Sequence, residues 1–265
     1  MARLCILDLG RLECDLGWQL AMPNPSTIVD INPSNKRVVL PVLGVLIESR
    51  ERLVLFDTGC HPEAMRGRWT KEWSQFFAFS SPEDDLLQHQ IKLAGYGVAD
   101  VTDVVLSHLH MDHSGNVGLF RNSKIWVSRR EIEFALAESL LTENYVGPYV
   151  HEDWLLSGMD WRFVYGPAAV TPDISIFPLL GHSAGTLALQ VTTDNGVFVF
   201  PSDAIYMGKS MGPPPCAPGV IYDSAEFRKS VDHITYLRDH LDATVIFPHD
   251  PEQFETLKTA PDWYG

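Results

Sequence analysis

Four side chains that commonly bind metals lie close together in the stretch SHLHMDHSGN. They are His108, His110, Asp112 and His113. His108 and His110 follow a predicted strand and are two residues apart on an extended backbone, so their rings point to the same side. Neutral imidazoles and carboxylates are common ligands of divalent metals. The pattern H-x-H-x-D-H therefore predicts metal binding, and Asp112 and His113 come where the chain turns and can face a second ion.

Three more residues of ligand type stand in similar surroundings further along the chain. His182, Asp203 and His249 each come after an apolar run that predicts a strand. The carboxyl ends of strands are the usual position of binding sites in α/β proteins. Taken singly, each residue is explained equally well as a polar residue in a turn. Taken with the first cluster, they predict one site assembled from distant parts of the chain.

The elements that must position these residues are mainly short strands. Strands are predicted at 38–47, 52–56, 101–107, 124–128, 173–178, 187–192, 196–200 and 243–247. Helices are predicted at 82–94, with Ser81 as the N-cap, and at 129–141 and 224–241. Two batches of strands with helices between and after them predict an α/β (or α+β) fold, in which sheets pack on each other with helices outside. No linker is evident, so residues 1–265 are predicted to form a single domain.

Two apolar segments do not fit this scaffold. Residues 16–35 carry Trp18, Leu20 and Met22, and residues 68–80 carry several tryptophan and phenylalanine side chains. Long irregular loops in a compact domain often form lids or binding loops. The alternatives are local packing on the core and contact with a second subunit. We therefore interpret both segments as substrate-pocket or dimer loops, and a homodimer is one expectation.

Composition and charge disfavour several classes of partner. The 265 residues carry a net charge of −14, whereas nucleic-acid affinity depends largely on Lys and Arg side chains that neutralise phosphates. The same charge argues against anionic membrane surfaces, and no apolar stretch approaches the ~18 residues of a spanning helix. None of the four cysteines forms a C-x-x-C pair, and no secretory leader is evident. The prediction is a small-molecule substrate, no nucleic acid, no membrane and a cytoplasmic location.

The combined pattern resembles the dinuclear metal signature of the metallo-β-lactamase superfamily. The early strand-end motif of that family matches Phe56-Asp57-Thr58-Gly59. The branch of N-acyl homoserine lactonases, the quorum-quenching lactonases, is similar in its Ser-His-Leu-His-x-Asp-His sequence, in the lengths between ligands, and in a tyrosine, here Tyr206, three residues after Asp203. The resemblance covers residues 57–249. It implies an αβ/βα sandwich, in which two mixed sheets pack face to face with helices outside.

The resemblance also implies a role for each site residue. Metal 1 would be held by His108, His110 and His182, and metal 2 by Asp112, His113 and His249, with Asp203 bridging and Asp57 supporting the ligands. The two divalent ions would be zinc in the first place, with cobalt, manganese or iron as alternatives, and a hydroxide between them would attack the lactone. The predicted catalytic residues are Asp112, which would pass a proton to the leaving alkoxide, and Tyr206, which would donate to the carbonyl oxygen. The predicted substrate pocket consists of Trp18, Leu20, Met22 and Met111.

The predicted function is therefore hydrolytic opening of the ring of N-acyl homoserine lactones. Asp203 stands where the dizinc β-lactamases carry a cysteine, which argues against β-lactam hydrolysis. The alternative is another hydrolase of this fold, acting on a different lactone, a thioester or an organophosphate ester. A non-catalytic binding module is a third hypothesis, which the seven filled ligand positions disfavour.

Overall fold

Two β-sheets carry helices on their outer faces in this computed structural model, which describes residues 1–83 and 86–265. The strands are β1 (Arg3–Asp15), β2 (Arg37–Ser49), β3 (Arg52–Phe56), β4 (Ala78–Ser80), β5 (Asp103–Val105), β6 (Lys124–Ser128), β7 (Asp160–Val164), β8 (Ala168–Thr171), β9 (Ile174–Pro178), β10 (Leu187–Thr193), β11 (Gly196–Phe200) and β12 (Thr244–Val245). The helices are α1 (Leu86–Leu93), α2 (Arg129–Leu141), α3 (His151–Trp154), α4 (Ser224–Leu241) and α5 (Pro251–Phe254).

Both sheets are mixed. The first has the order β4-β1-β2-β3-β5-β6-β7, with antiparallel pairing from β4 to β3 and parallel pairing from β3 to β7. The second has the order β12-β11-β10-β9-β8 and is antiparallel except for the pair β11–β12. Parallel pairing brings the carboxyl ends of β3 and β5 to the same edge of the first sheet. The predicted architecture of two packed mixed sheets is confirmed.

The inner strands are buried on both faces, and their side chains alternate between different cores. In β1, Leu4 and Ile6 belong to the core between the two sheets, where they meet side chains of the second sheet such as Ile176. Cys5 and Leu7 point the other way, into the core that also contains Ile91 of α1. This alternation follows from the two-residue period of a strand. Burial of apolar area supplies most of the free energy that stabilises a fold. The two cores therefore hold the first sheet in place from both of its faces.

Several predicted elements coincide with observed ones. The predictions at 52–56, 124–128, 196–200, 129–141 and 224–241 match β3, β6, β11, α2 and α4. The strands predicted at 101–107 and 243–247 are shorter, because the chain leaves the sheet early toward the polar residues that follow. The helix predicted at 82–94 is observed as α1, but its predicted beginning after Ser81 includes residues 84 and 85, which lie outside the described residues.

The structure corrects the prediction at β1, β4, β7 and β8, for which the sequence pattern gives no strand. In β1, the charged residues Asp8 and Arg11 interrupt the apolar run, so the sequence pattern of a strand is lost. The strand register shifts between these two residues, and their side chains form an ion pair. In β7, most side chains are at least partly exposed, so the apolar pattern is weak. The strand β4 lies inside the segment 68–80 and pairs with β1, so that segment is only partly irregular.

Candidate metal centre

The ligand side chains stand on loops that follow strands of both sheets. His108, His110 and the residues after them follow β5, and His182 follows β9. Asp203 lies in a short 3-10 helix directly after β11, and His249 lies a few residues after β12. All seven predicted ligands are brought together in two adjoining groups. The first group contains His108, His110 and His182, and the second contains Asp112, His113, Asp203 and His249.

Three imidazole nitrogens converge in the first group. Nε2 of His182 lies 3.1 Å from Nε2 of His108 and 2.9 Å from Nδ1 of His110. Burial holds the pKa values of His108 and His110 well below their usual values, with neighbouring histidines adding to the effect, so these rings are neutral. A single ring proton cannot satisfy both short contacts of His182 at once. One cation between the three nitrogens would satisfy all of them.

Carboxylates and histidines alternate in the second group. Oδ1 of Asp203 lies 3.1 Å from Nε2 of His113 and 3.2 Å from Nε2 of His249. Oδ2 of Asp112 lies 3.5 Å from Nε2 of His249. Among the residues that the structure describes, Nε2 of His113 and Oδ1 of Asp203 are buried without a well-oriented hydrogen bond, although they lie 3.1 Å from each other. Buried polar atoms are normally paired, so these two atoms fit a cation that both of them contact.

Asp203 connects the two groups. While Oδ1 faces His113 and His249, Oδ2 lies 3.4 Å from Nε2 of His182 and 3.7 Å from Nε2 of His108. Burial opposes a charge on this carboxyl, but the surrounding histidines, His113 foremost, hold the pKa of Asp203 well below its usual range. A carboxylate with one oxygen toward each group is the arrangement expected of a bridging ligand. The donor set therefore fits a pair of divalent cations.

Asp57 orients His113 and the beginning of the ligand loop. Its carboxylate accepts hydrogen bonds from Nδ1 of His113 at 2.9 Å, from the backbone N–H of Ser107 at 2.7 Å and from the Ser107 hydroxyl at 2.8 Å. The backbone of Asp57 has a φ of +59°, a left-handed conformation that aspartate tolerates better than most residues. Because Nδ1 of His113 carries the proton in this contact, its Nε2 is available as a ligand. Asp57, which the resemblance gives a supporting role, thus lies against His113 and against Ser107, the residue before His108.

The ring of His249 is oriented in the same way. Its Nδ1 lies 2.9 Å from the carbonyl oxygen of Pro41 and donates to it, which leaves Nε2 for the second group. The carboxylates of Asp203 and Asp112 hold the pKa of His249 above its usual value against the effect of burial. Each of these rings therefore presents one chosen nitrogen to the site.

A cavity opens onto both ligand groups, and Tyr206 lines it beside His182. Its hydroxyl is 3.1 Å from Nδ1 of His182, which also lies 3.3 Å from the carbonyl oxygen of Val220. Since Nε2 of His182 faces the other histidines, Nδ1 carries the ring proton and can donate to the tyrosine oxygen. Burial, with the charges of Asp203 and Asp112, holds the pKa of Tyr206 well above its usual value. Tyr206 is therefore a neutral phenol whose own proton can point into the cavity.

A close approach of two loops depends on Gly115. Its backbone N–H donates to the carbonyl oxygen of Gly59 at 2.9 Å. The backbone N–H of Thr58 donates to the backbone carbonyl oxygen of His113 at 2.7 Å. A Cβ atom on Gly115 would lie only 2.2 Å from the backbone nitrogen of His61. A side chain at this position would push apart the loop of Asp57 and the loop of the ligands.

The wall of the cavity is mainly apolar. It is lined by Leu12, Leu40, Trp73, Phe77, Met111 and Val220, together with Gln19 and Pro148. Of the four predicted pocket residues only Met111 lines it, and Nε1 of Trp73 lies 2.8 Å from the sulfur of Met111. Trp18 packs behind the wall against Phe77, Leu20 packs partly buried against the core, and Met22 is 76% exposed. This corrects the predicted placement: Gln19, between Trp18 and Leu20, faces the cavity, and residues 21–30 are exposed.

The sequence matches the Metallo-beta-lactamase superfamily over residues 37–249, most of the chain. This chain belongs to that superfamily. Its relatives include N-acyl homoserine lactonase AiiB of Agrobacterium fabrum, which is 32% identical over 99% of this chain and 98% of its own length. A protein of the same name from Rhizobium rhizogenes is 31% identical over the same shares of the two chains. An N-acyl homoserine lactonase of Bacillus cereus is 28% identical over 84% of this chain and 87% of its own.

Solved structures share the fold. An N-acyl homoserine lactone hydrolase with the product N-hexanoyl-L-homoserine bound at its catalytic metal center matches with a TM-score of 0.82 and 23% identity, covering 99% of this chain and 98% of that one. The dizinc quorum-quenching lactonase AidC matches with a TM-score of 0.69 and 19% identity, covering 94% of this chain and 88% of that one. At these identities the likeness concerns the fold, and it confirms the αβ/βα sandwich of the metallo-β-lactamase type.

Sequence reasoning missed several residues around this metallo-β-lactamase-type site. Gln19 and Val220 line the cavity, and the ring of Tyr149 packs edge-on against His110 with 4.7 Å between the ring centroids. Glu131 is fully buried behind the histidine loops. The sequence contains no signal for these residues, because a single glutamate in a helix or a tyrosine in a loop is usually a surface or core residue.

Proposed function

We propose that this protein opens the lactone ring of N-acyl homoserine lactones by hydrolysis. Its superfamily and its relatives make the chain a hydrolase of the lactone and ester class. The observation that carries the finer proposal is the relative named N-acyl homoserine lactonase AiiB, which is 32% identical over 99% of this chain. The geometry of the site supports it, because the two ligand groups adjoin an apolar cavity that also contains a neutral phenol.

The proposal assigns two divalent cations to the two ligand groups. His108, His110 and His182 would hold metal 1, Asp112, His113 and His249 would hold metal 2, and Asp203 would contact both. When bound, two such cations polarise a carbonyl oxygen and lower the pKa of a water between them, which supplies a nucleophile at neutral pH. The protein contributes the fixed orientation of the rings, since Asp57 and the carbonyl of Pro41 hold the nitrogens that do not face the site.

Tyr206 is proposed to stabilise the charge that develops on the carbonyl oxygen. Its oxygen accepts from Nδ1 of His182, so its own proton is free to be donated to the substrate. A neutral hydroxyl held at a buried position needs little rearrangement when negative charge appears on the oxygen it faces. In this role Tyr206 acts on the transition state more strongly than on the bound lactone.

Asp112 is proposed to transfer the proton that completes ring opening. Its side chain is the most exposed of the ligand side chains in the second group, at 12%, and it lines the cavity. The hydroxyl of a water adds to the carbonyl carbon of the lactone ring. The bond from that carbon to the ring oxygen then breaks. The remaining proton reaches the ring oxygen through the Asp112 carboxylate, and the product is the open hydroxy acid.

The charge of the chain and the wall of the cavity agree with a neutral, amphiphilic substrate. A protein with a net charge of −14 does not attract anions in general. Apolar side chains, including Leu12, Leu40 and Trp73, form the surface against which an acyl chain can lie. The predictions of zinc, a homodimer and a cytoplasmic location belong to this proposal. In the described ranges, no helix has the length and apolar character needed to cross a membrane.

The decisive experiment is a titration assay of acid release on protein whose metal content has been measured. N-acyl homoserine lactones of different acyl lengths are compared with a plain lactone, a thioester, a phosphotriester and a β-lactam. We expect turnover that is fastest with the N-acyl homoserine lactones and is lost when a chelator removes the metal. Faster turnover of the thioester or the phosphotriester by the metal-replete protein would replace the proposed substrate with that class.

A further inference from the structure

Glu131 is a fully buried carboxylate that the proposed chemistry does not use. It is the third residue of α2, in the first turn of the helix, and its exposed fraction is 0%. Burying a carboxylate is unfavourable unless hydrogen bonds replace its hydration. The contacts of this side chain therefore indicate what the burial achieves.

Four donors point at the two carboxylate oxygens. Oε1 accepts from the backbone N–H of Leu109 at 3.1 Å and from the hydroxyl of Tyr149 at 3.1 Å. Oε2 accepts from the backbone N–H of Gly185 at 2.8 Å and from the hydroxyl of Ser183 at 2.7 Å. Each oxygen thus accepts from one backbone N–H and faces one hydroxyl, and these contacts oppose the rise that burial causes in the pKa of Glu131.

Three of the four donors, on Leu109, Ser183 and Gly185, lie on the loops that present the three-histidine group. Leu109 stands between His108 and His110, and Ser183 directly follows His182. One side chain thus ties together two loops that are 72 residues apart between His110 and His182. The hydroxyl of Tyr149 adds a further link, because its ring packs against the ring of His110.

The second loop is shaped to reach this carboxylate. A Cβ atom on Gly185 would lie 2.5 Å from the backbone nitrogen of Glu131 and 2.6 Å from the hydroxyl oxygen of Ser128. Only glycine allows the loop to approach the start of α2 this closely. The contact therefore depends on a matched pair, a glycine on the loop and a carboxylate on the helix.

We propose that Glu131 is a positioning residue that holds His108, His110 and His182 at the separation one cation requires and so sets the metal affinity of this group. The inference rests on the metal pair of the proposed function. It gives the two groups separate supports, since Asp57 orients His113 in the second group. Replacing a residue that hydrogen-bonds and orients metal ligands typically weakens metal affinity or activity by about 10- to 100-fold.

Both oxygens of Glu131 must accept hydrogen bonds to link the two loops, so Glu131→Gln tests the proposal directly. Each oxygen accepts from one backbone N–H, which cannot turn around to accept a hydrogen bond. In either orientation, the amide NH2 of a glutamine would face one of these N–H groups. Nearly the same volume is kept, so the variant removes the link to one loop rather than the packing.

Asp103→Asn is the matched control. Asp103 is also a fully buried carboxylate, and it accepts from Nε1 of Trp126 at 2.9 Å and from the Thr102 hydroxyl at 2.7 Å. It begins β5, whereas the ligands follow the end of that strand, so its contacts do not involve the histidine loops. Asp103 also forms an ion pair with Arg52, so its replacement disturbs a buried carboxylate at least as strongly, and an effect on metal confined to Glu131→Gln is not a general loss of stability.

The experiment measures metal affinity by competition with a chelator and the absorption spectrum of the Co²⁺-loaded protein, which reports ligand geometry. We expect Glu131→Gln to weaken the affinity for one of two ions by about 10- to 100-fold and to change the spectrum, with Asp103→Asn leaving both unchanged. Wild-type affinity and spectrum in Glu131→Gln, or equal weakening in both variants, would overturn the proposal.

Two milder variants decide the question if Glu131→Gln does not fold. Tyr149→Phe and Ser183→Ala each remove one hydroxyl donor and keep the carboxylate. We expect each to weaken the same ion's affinity by a few-fold, and unchanged affinity and spectra in both would again overturn the proposal. A wild-type protein that binds two ions but hydrolyses no lactone would contradict the proposed function alone, because these readouts need no substrate.

Discussion

The candidate metal centre buries polar side chains, whereas the segment 21–35 exposes apolar ones. The centre gathers seven ionisable ligands, and most of them are nearly inaccessible to solvent. The segment 21–35 instead exposes large apolar side chains, with Ile28 at 99% and Val29 at 90%. Each region departs from the usual rule that polar groups face water and apolar groups face the core.

The difference lies in what compensates the departure. In the centre, most rings have one nitrogen fixed by a protein group, such as Nδ1 of His113 by Asp57, and the nitrogens left over converge on two points. Bound cations would complete the contacts of these buried polar atoms. Apolar side chains such as Ile28 remain exposed in the single chain, and the proposed homodimer would cover them. The centre is therefore expected to respond steeply to substitution and the segment 21–35 weakly.

The largest effect is expected for Asp203→Ala. This change removes the one carboxylate that faces both ligand groups, so metal content and turnover should fall together. Since changes to partners of ligands alone cost about 10- to 100-fold, kcat/KM should fall by more than about 100-fold. Elemental analysis and lactone hydrolysis check this, with the exposed residue Asp194 changed to Ala as the control. Two ions retained per chain would contradict the assignment.

A smaller effect is expected for Tyr206→Phe. The phenyl ring keeps the packing against His182 but cannot donate to the carbonyl oxygen of the substrate. Loss of one such donor typically lowers kcat by about 100-fold or more. Metal content should stay at the wild-type value, and Tyr236→Phe on the exposed face of α4 should change neither quantity. Unaltered kinetics would make Tyr206 a packing residue only.

Gly115→Ala tests the scaffold of the centre rather than its chemistry. The added methyl group would stand 2.2 Å from the backbone nitrogen of His61, which cannot move without separating two loops. Overpacking of this kind lowers the free energy of unfolding by about 1–3 kcal/mol. Urea denaturation of the metal-free protein measures it. Gly166→Ala is the matched control, because a Cβ atom there meets nothing within 4 Å; equal stability of the two variants would be the contrary result.

The smallest effect is expected in the segment 21–35. Replacing Ile28 and Val29 by serine should change the free energy of unfolding by no more than about 0.5 kcal/mol for each residue, because both side chains are exposed. Metal content and kcat should be unchanged. Light scattering should detect a smaller mass if the segment joins two copies. A loss of metal in this double variant would show that the two regions are not independent.

Sequence reasoning reached the centre better than its surroundings. The motif from His108 to His113 is local, so its chemistry can be read without knowing the fold. His182 and Asp203 could be added because each follows a predicted strand. The pocket wall could not be read in this way. Leu12 lies on a strand that the sequence pattern does not predict, and Met22 turns away into solvent.

The sequence by itself determined which donors the protein has, the strands that they follow and a family whose fold the structure confirms. The resemblance implied how those donors are shared, but only the tertiary structure decided the distances between them and the turn of Asp203 that points one oxygen toward each group. It alone placed Glu131 between two loops distant in sequence. The physical reason is that strand register and sheet packing set these distances, and both arise from contacts between residues far apart along the chain.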